Sequence, residues 1–256
     1  MSVTGIGAMS PEMAKLLARA GQDVTGAIRL ASTETGVDFA YLMSKAAAES
    51  NFDPEAEART SSATGLYQFL DSTWMEMVEK YGAKHGLGDM RAAPKGEILA
   101  LRRDPEMAAR MAAEFAAQNK RVLEQNLPHR EIGNTDLYMA HFLGAGGASE
   151  FLKQMEENPF QSGALRFPEA ARANRNVFFD SQGRARNLGE IHQFFSRKFE
   201  TIETQAAGTP IAEKPARAET SMSPVRAGAL PPNRIDPQAR YMAEIMLSRM
   251  NDLISE

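Results

Sequence analysis

Apolar residues recur at helical spacing in one segment of this chain after another, and most of these segments open behind a capping residue and close at glycine or proline. Phe39, Leu42, Met43, Ala46 and Ala47 follow Asp38 in an i, i+3, i+4, i+7 stripe. Asp53-Pro54 closes that helix, because the residue before proline avoids the α region. Ser10-Pro11-Glu12 is a helix start that should run to about Ala20. Asp23 to Thr35 reads as a second helix, stopped at Gly36. Asp71-Ser72-Thr73 caps a helix carrying Trp74, Met77, Val78 and Tyr81, and Lys84 to Gly96 reads as a loop. Asp104-Pro105-Glu106 opens the longest helix, which Pro128 ends. Thr135-Asp136 opens another, which Gly144 stops, with Gly146-Gly147 separating it from Ala148–Met155. Pro168 to Phe178 and Leu188 to Ile202 are two further helices.

The stretch 54–69 breaks this pattern. It has no helical period, and its small polar residues and Gly65 predict a turn or a short irregular hairpin. The fold class is therefore mostly α over residues 1–202, with at most a small hairpin near 58–70. After Glu203, five prolines fall between 205 and 236 without an apolar period, so 203–236 reads as a Pro/Ala-rich linker. Residues 237–256 then form an amphipathic C-terminal helix with Met242, Ile245, Met246, Met250, Leu253 and Ile254 on one stripe. Such a helix either folds back onto its own domain or docks to a partner.

Composition excludes several classes of function. A net charge of −4 gives no basic field for nucleic acid. No cysteine is present, so disulfides and thiolate chemistry are absent. No stretch has the length of a transmembrane segment. The four histidines, His85, His129, His141 and His192, show no metal-ligand spacing, and no cofactor motif is evident. Gly5, Gly7, Ser10, Pro11, Glu12 and Lys15 interrupt the first 22 residues, so a general secretory signal is not expected.

One residue on the helix after Asp38 carries chemistry. Glu49 lies three residues after Ala46 and seven after Leu42, on or at the edge of the apolar stripe. Partial desolvation and the negative end of the helix dipole both favour the protonated acid, the property a general acid in glycoside cleavage needs. Lys45, four residues earlier, opposes this; as an exposed i, i+4 pair it would contribute only about 0.3–0.5 kcal/mol. Periodicity alone favours a structural role for Glu49, as a boundary residue with a hydrogen bond at the edge of the stripe.

The segments around Glu49 carry a resemblance. Glu49-Ser50-Asn51-Phe52-Asp53-Pro54, then the turn Thr60-Ser61-Ser62-Ala63-Thr64-Gly65-Leu66-Tyr67-Gln68-Phe69, then Thr73-Trp74 resemble the signature of the soluble lytic transglycosylases with a lysozyme-like fold. The turn, and Ala170–Asn174 followed by Phe178 and Gly183, are closest to the phage-endolysin-like branch. Tyr138-Met139-Ala140-His141 stands where the housekeeping branch has Tyr-Asn-Ala-Gly. The resemblance spans about residues 38–200 and implies a lysozyme-like transglycosylase domain acting on peptidoglycan glycan strands. It implies that Glu49 is the single catalytic acid/base. It also implies that Ser61, Ser62 and Gln68 bind the sugar and its N-acetyl group, that Tyr67 stacks on a sugar face, and that Tyr138 orients Glu49 or the substrate. His141, three residues from Tyr138 on the same face, either reaches the groove or packs.

The implied reaction is a lytic transglycosylation giving a 1,6-anhydromuramoyl product. A hydrolytic muramidase would need a second carboxylate roughly 5–9.5 Å away, for which Asp53, Glu55, Glu57 and Asp71 are the nearby residues. Each of these also has a bland role as turn former, cap or surface acid. A non-catalytic peptidoglycan-binding scaffold is the alternative of a different class. The substrate places the protein in the periplasm or cell wall, reached by a secretion, flagellar or phage-type route. The 237–256 helix is then a candidate contact to an envelope apparatus.

Overall fold

The computed structural model describes residues 11–203 apart from 60 and 89–91. The expected cap at Ser10, the linker from residue 204 and the 237–256 helix lie outside the described residues. Among those described, helices and turns are joined by isolated antiparallel bridges, with no strand, as the mostly α reading expects.

Helix α1 (Pro11–Thr35) contains a break at Gly21, where φ is 73° and ψ is 173°. The two helices expected on either side of residues 21–22 are thus the two arms of α1. Helix α2 (Phe39–Ser50) starts at Asp38, whose Oδ1 accepts the Tyr41 N–H at 2.7 Å. It ends in two consecutive left-handed residues, Asn51 at φ 55° and Phe52 at φ 66°. Their N–H groups fold back onto Ala47 O at 3.0 Å and Ala46 O at 3.3 Å. Every residue from Ala40 to Ser50 is buried. The stripe expected on one face has become a helix enclosed on all sides.

The irregular stretch after α2 is a compact turn with bridges Glu57–Thr64 and Thr64–Phe69, the small hairpin expected. A single buried guanidinium pins it. Arg102 Nη1 donates to Ser62 O at 2.7 Å and Phe69 O at 2.9 Å, its Nε donates to Leu99 O at 3.0 Å, and its head pairs with Asp71 at 2.8 Å. This corrects the reading of Asp71 as a cap. Helix α3 (Asp71–Tyr81) starts behind Leu70 with no side-chain cap, because the Asp71 carboxylate is turned to Arg102. Trp74 packs edge-on against Phe69 at 5.3 Å, and its Nε1 donates to Ile98 O at 2.6 Å, so the residue is core.

The expected loop over 84–96 is shorter than read. A 3₁₀ turn (Gly82–His85) precedes it, and α4 (Lys95–Ala100) and a second 3₁₀ turn (Leu101–Arg103) follow. Helix α5 (Pro105–Asn126) is capped by Asp104, which accepts the Met107 N–H at 2.7 Å. It packs against α1, α3 and α2 and, on another face, against α6 (Asn134–Glu157). Gly144, at φ 73° and ψ 156°, breaks α6, whereas Gly146 and Gly147 stay inside the helix. The separation expected at Gly146-Gly147 is therefore made two residues earlier, by the glycine that takes positive φ.

Short helices α7 (Gly163–Arg166), α8 (Pro168–Ala173) and α9 (Arg175–Phe178) lead to α10 (Leu188–Glu203). The arginines between 172 and 186 mostly serve this region. Arg186 Nη1 donates to Asn176 O, Val177 O and Phe179 O at 2.6–2.8 Å, and Arg184 pairs with Asp180 and Glu190. Phe195 of α10 is fully buried, 5.3 Å from the Tyr138 ring and 5.0 Å from Phe142, which fixes α10 on α6 and against α2. No helix among the described residues is long and apolar enough to cross a membrane.

The turn depends on Gly65. At φ 82°, a Cβ there would lie 1.9 Å from Arg102 O, a backbone atom. Gly65→Ala meets both a forbidden dihedral and an immovable neighbour, and should destabilise the fold by at least ~3 kcal/mol in urea titrations. Gly88→Ala, whose Cβ meets nothing within 4 Å, serves as the control.

Candidate active site

Three segments meet around Glu49. Helix α2 supplies Tyr41, Lys45 and Glu49, the pinned turn supplies Tyr67, and α6 supplies Tyr138 and His141. Glu49 is 0% exposed, and Tyr138 and Tyr67 are each 1% exposed. His141 Nε2 lies 3.2 Å from Glu49 Oε1, across a sequence separation of 92 residues. The spacing of Tyr138 and His141 puts both on the face of α6 turned to α2, as one turn of helix requires.

Lys45 is enclosed with them, 3% exposed. It shares the buried side of α2 with Glu49 rather than pairing with it at the surface. Its ammonium lies 5.9 Å from the centre of the Tyr67 ring and 5.7 Å from that of Phe115 of α5, so aromatic faces replace water around the charge. Burial pushes its pKa down to about 8, against the opposing attraction of the Glu49 carboxylate. Burial also pushes His141 well below the usual histidine range, and the Lys45 charge adds to this, so the ring is neutral at neutral pH. Tyr138, Tyr67 and Tyr41 are all held above the ordinary phenol range, chiefly by burial; the Glu49 charge adds to this in each, after Tyr41 in the case of Tyr67. Five side chains from three segments thus respond to, or touch, one carboxyl.

The other sequence candidates fall outside this inner cluster or serve the turn itself. Gln68 is fully buried at φ 48°, and its amide Nε2 donates to Ala56 O and Gly65 O, both at 3.0 Å. Its side chain holds the turn together. Ser61 Oγ accepts the Ala63 N–H at 3.1 Å, and Ser62 Oγ accepts the Asp71 N–H at 3.2 Å. Ser62 is exposed and Ser61 partly so, and among the described residues these two are the turn hydroxyls open to a ligand. Tyr67 is not open in this way. Its ring is buried and its OH donates to Leu42 O at 3.1 Å, so it cannot stack on a sugar in this arrangement.

The neighbouring acids are committed elsewhere. Asp53 Oδ1 accepts the Glu55 N–H at 2.9 Å, Glu55 pairs with Arg103 at 3.0 Å, Glu57 also pairs with Arg103, and Asp71 pairs with Arg102. The full burial of Lys45 and the pairing of His141 with Glu49 are additions of the structure. The i, i+4 spacing of Lys45 and Glu49 signalled the first, whereas no local signal exists for the second.

Residues 26–129 match the family model of the transglycosylase SLT domain. The match makes this segment an SLT domain, the domain of the soluble lytic transglycosylases in the lysozyme-like superfamily. The protein is an enzyme that cleaves glycosidic bonds, and its substrate is peptidoglycan. The matched segment of the transglycosylase contains Glu49, Lys45 and the whole Ser61–Phe69 turn, whereas Tyr138 and His141 come from α6, beyond it.

The buried lysine has a pH signature. Its folded pKa of about 8 lies below the 10.5 of an exposed lysine, so the unfolded chain binds more protons between these values. Stability from this group therefore rises as pH goes from about 8 towards 10.5, by an amount on the order of 3 kcal/mol at most. Above about pH 10 the raised tyrosines oppose it, because the unfolded phenols ionise first. Urea titrations from pH 7 to 9.5 should show the rise in the wild type and its loss in Lys45→Met; parallel curves would contradict the burial of the charge.

Proposed function

We propose that this transglycosylase cleaves the β-1,4 bond between N-acetylmuramic acid and N-acetylglucosamine, with Glu49 as its single acid/base. The observation that carries the reading is the convergence on one carboxyl: Tyr41, Lys45, Tyr67, Tyr138 and His141 surround Glu49, while Asp53, Glu55, Glu57 and Asp71 are bound to backbone or arginine. Perturbed titrating groups gathered around one acid are what a proton-transfer site requires.

In the proposed cycle Glu49 gives its proton to the glycosidic oxygen as the bond from that oxygen to the muramoyl anomeric carbon breaks. The C6 hydroxyl oxygen of the same muramoyl unit then bonds to that carbon, and its proton returns to Glu49. No water is consumed, and the product is a 1,6-anhydromuramoyl end. A hydrolase would need a second carboxylate to hold a nucleophilic water or to attack the sugar. The commitment of the four neighbouring acids favours the single-carboxyl route. Because Glu49 has no exposed surface, binding a glycan requires the rings around it to move apart. Ser61, Ser62 and Tyr138 are proposed to bind the sugar on the side then opened, next to the exposed Asn51 and Asp53. Action in the periplasm or cell wall, an endolysin-like ancestry, delivery by a secretion, flagellar or phage-type route, and docking of residues 237–256 to an envelope apparatus belong to the same proposal and rest on the sequence.

Purified sacculi digested with the protein and examined by mass spectrometry test the reaction. The expected products are muropeptides one water lighter than reducing-end species, with release lowered at least ~10³-fold in Glu49→Gln while the fold persists. Reducing-end products would make it a muramidase. Undiminished release by Glu49→Gln would remove Glu49 from the chemistry, and no release by the wild type would favour a scaffold.

A further inference from the structure

We propose that His141 is a positioning residue for Glu49: held on α6, its Nε2 fixes the Glu49 carboxyl, through Oε1, in the orientation from which that acid exchanges its proton with the glycan. The proposal rests on the reading of Glu49 as the acid/base and deepens it. The contact is 3.2 Å, between two groups that are 5% and 0% exposed at the side chain. It joins α6 to the last turn of α2.

The ring is itself fixed. Tyr138 lies 6.3 Å away on the same helix and Phe115 6.4 Å away edge-on from α5, and these rings leave the imidazole little room to turn. Its Nδ1 is buried and has no hydrogen-bond partner among the described residues. In a histidine whose far nitrogen is tied to a carbonyl or carboxylate, the tautomer is set by that tie. Here Glu49 alone sets it. A carboxylate draws the proton to Nε2, which then donates, and a carboxylic acid donates to an unprotonated Nε2. The contact therefore suits both protonation states that an acid/base must visit.

The charges around the pair assign it this role and no larger one. Facing it are Tyr41, Lys45 and Glu49 from α2, Tyr67 from the turn and Tyr138 from α6, while α5 and α10 present Phe115 and Phe195. Lys45 is the fixed cation of this set, and its charge together with burial disfavours a second cation at His141. A neutral ring holds the carboxyl by a hydrogen bond without adding a positive charge that would lock Glu49 in its ionised form. Lys45 supplies charge and His141 supplies direction.

Turnover on purified sacculi, at limiting and saturating substrate and across pH, tests this in His141→Leu and His141→Gln. His141→Leu should lower kcat by about 10- to 100-fold with KM little changed, as misdirection of a reacting group does. The alkaline limb of its kcat profile should move by roughly half a unit or more. His141→Gln, which places an amide near the Nε2 position, should recover most of the loss. Equal impairment of both variants with an unmoved limb would reduce His141 to packing, and full activity in His141→Leu would overturn the proposal; either result together with an inactive Glu49→Gln would leave the acid/base reading intact. An active Glu49→Gln would instead sink that reading. A readout independent of folding in the leucine variant is the ¹⁵N spectrum of the His141 ring in wild type and Glu49→Gln. The ring should be neutral at neutral pH, and its nitrogen shifts should change with the substitution. Unchanged shifts would overturn the contact.

Discussion

The rest of the structure is arranged around a lysine and a glutamate that have both been taken out of water on one short helix. Removing a charge from water costs several kcal/mol even after relaxation, and the attraction between two such charges returns it only when the geometry is good and the remaining polar atoms are satisfied. Replacing such a pair by apolar side chains is often neutral or stabilising. Stability alone therefore does not explain why α2 carries Lys45 and Glu49 at the two ends of three alanines. The surroundings read as compensation for their burial: aromatic faces of Tyr67 and Phe115 over the ammonium, and the imidazole of His141 on the carboxyl. Departures from the ordinary rules of a core are expected where a protein does its chemistry.

Backbone strain falls in the same place. Asn51, Phe52 and Gln68 are the positive-φ residues other than glycine among those described, and all three lie within 20 residues of Glu49 in sequence. Asn51 and Phe52 end α2 abruptly just beyond the acid, and Gln68 turns the backbone just after Tyr67. A left-handed phenylalanine persists only where its neighbours over-determine it. Here Phe52 is buried with the Arg19 guanidinium 5.8 Å from its ring, and Arg19 also bonds Asn51. The opposite side of the turn is held by Arg102. Two arginines, one on α1 and one following α4, thus hold strained backbone on either side of the acid. The cost is carried by elements remote from it.

Much of this was legible in the sequence, and the limit falls at a definite place. Asp38 and Asp104 cap the helices that their spacing predicts, because a cap is a local hydrogen bond to an N–H three residues on. The turn over 54–69 was legible from its lack of period. Asp71 has the same cap signal as Asp38, yet Arg102, 31 residues later, takes its carboxylate. Local pattern cannot anticipate a distant competitor. Tyr67 illustrates a second limit: an aromatic in a turn has no periodicity to say whether it faces in or out. For α2, three consecutive alanines conceal the boundary of the buried face, since they suit a core and a surface equally. That Lys45 is enclosed follows only once α1, α5 and α6 are placed around the helix.

The location of His141 and Tyr138 has a consequence for where the catalytic unit ends. The SLT match stops at 129, but the carboxyl it contains is held by a helix that begins at Asn134. Asp136, near the start of that helix, is buried and gripped by Arg130 at 2.9 Å and by His192 of α10 at 3.1 Å. The same α10 places Phe195 against Tyr138. The chain of contacts therefore runs from α10 through the first half of α6 to Glu49, and Gly144 ends that rigid half one residue after Leu143. A unit cut at the edge of the match would retain Glu49 and the turn but lose the face of α6 that touches the Glu49 carboxyl. If Glu49 is the acid as proposed, the functional core extends through α10, and the helices after residue 129 help to build the site rather than being an appendage to it.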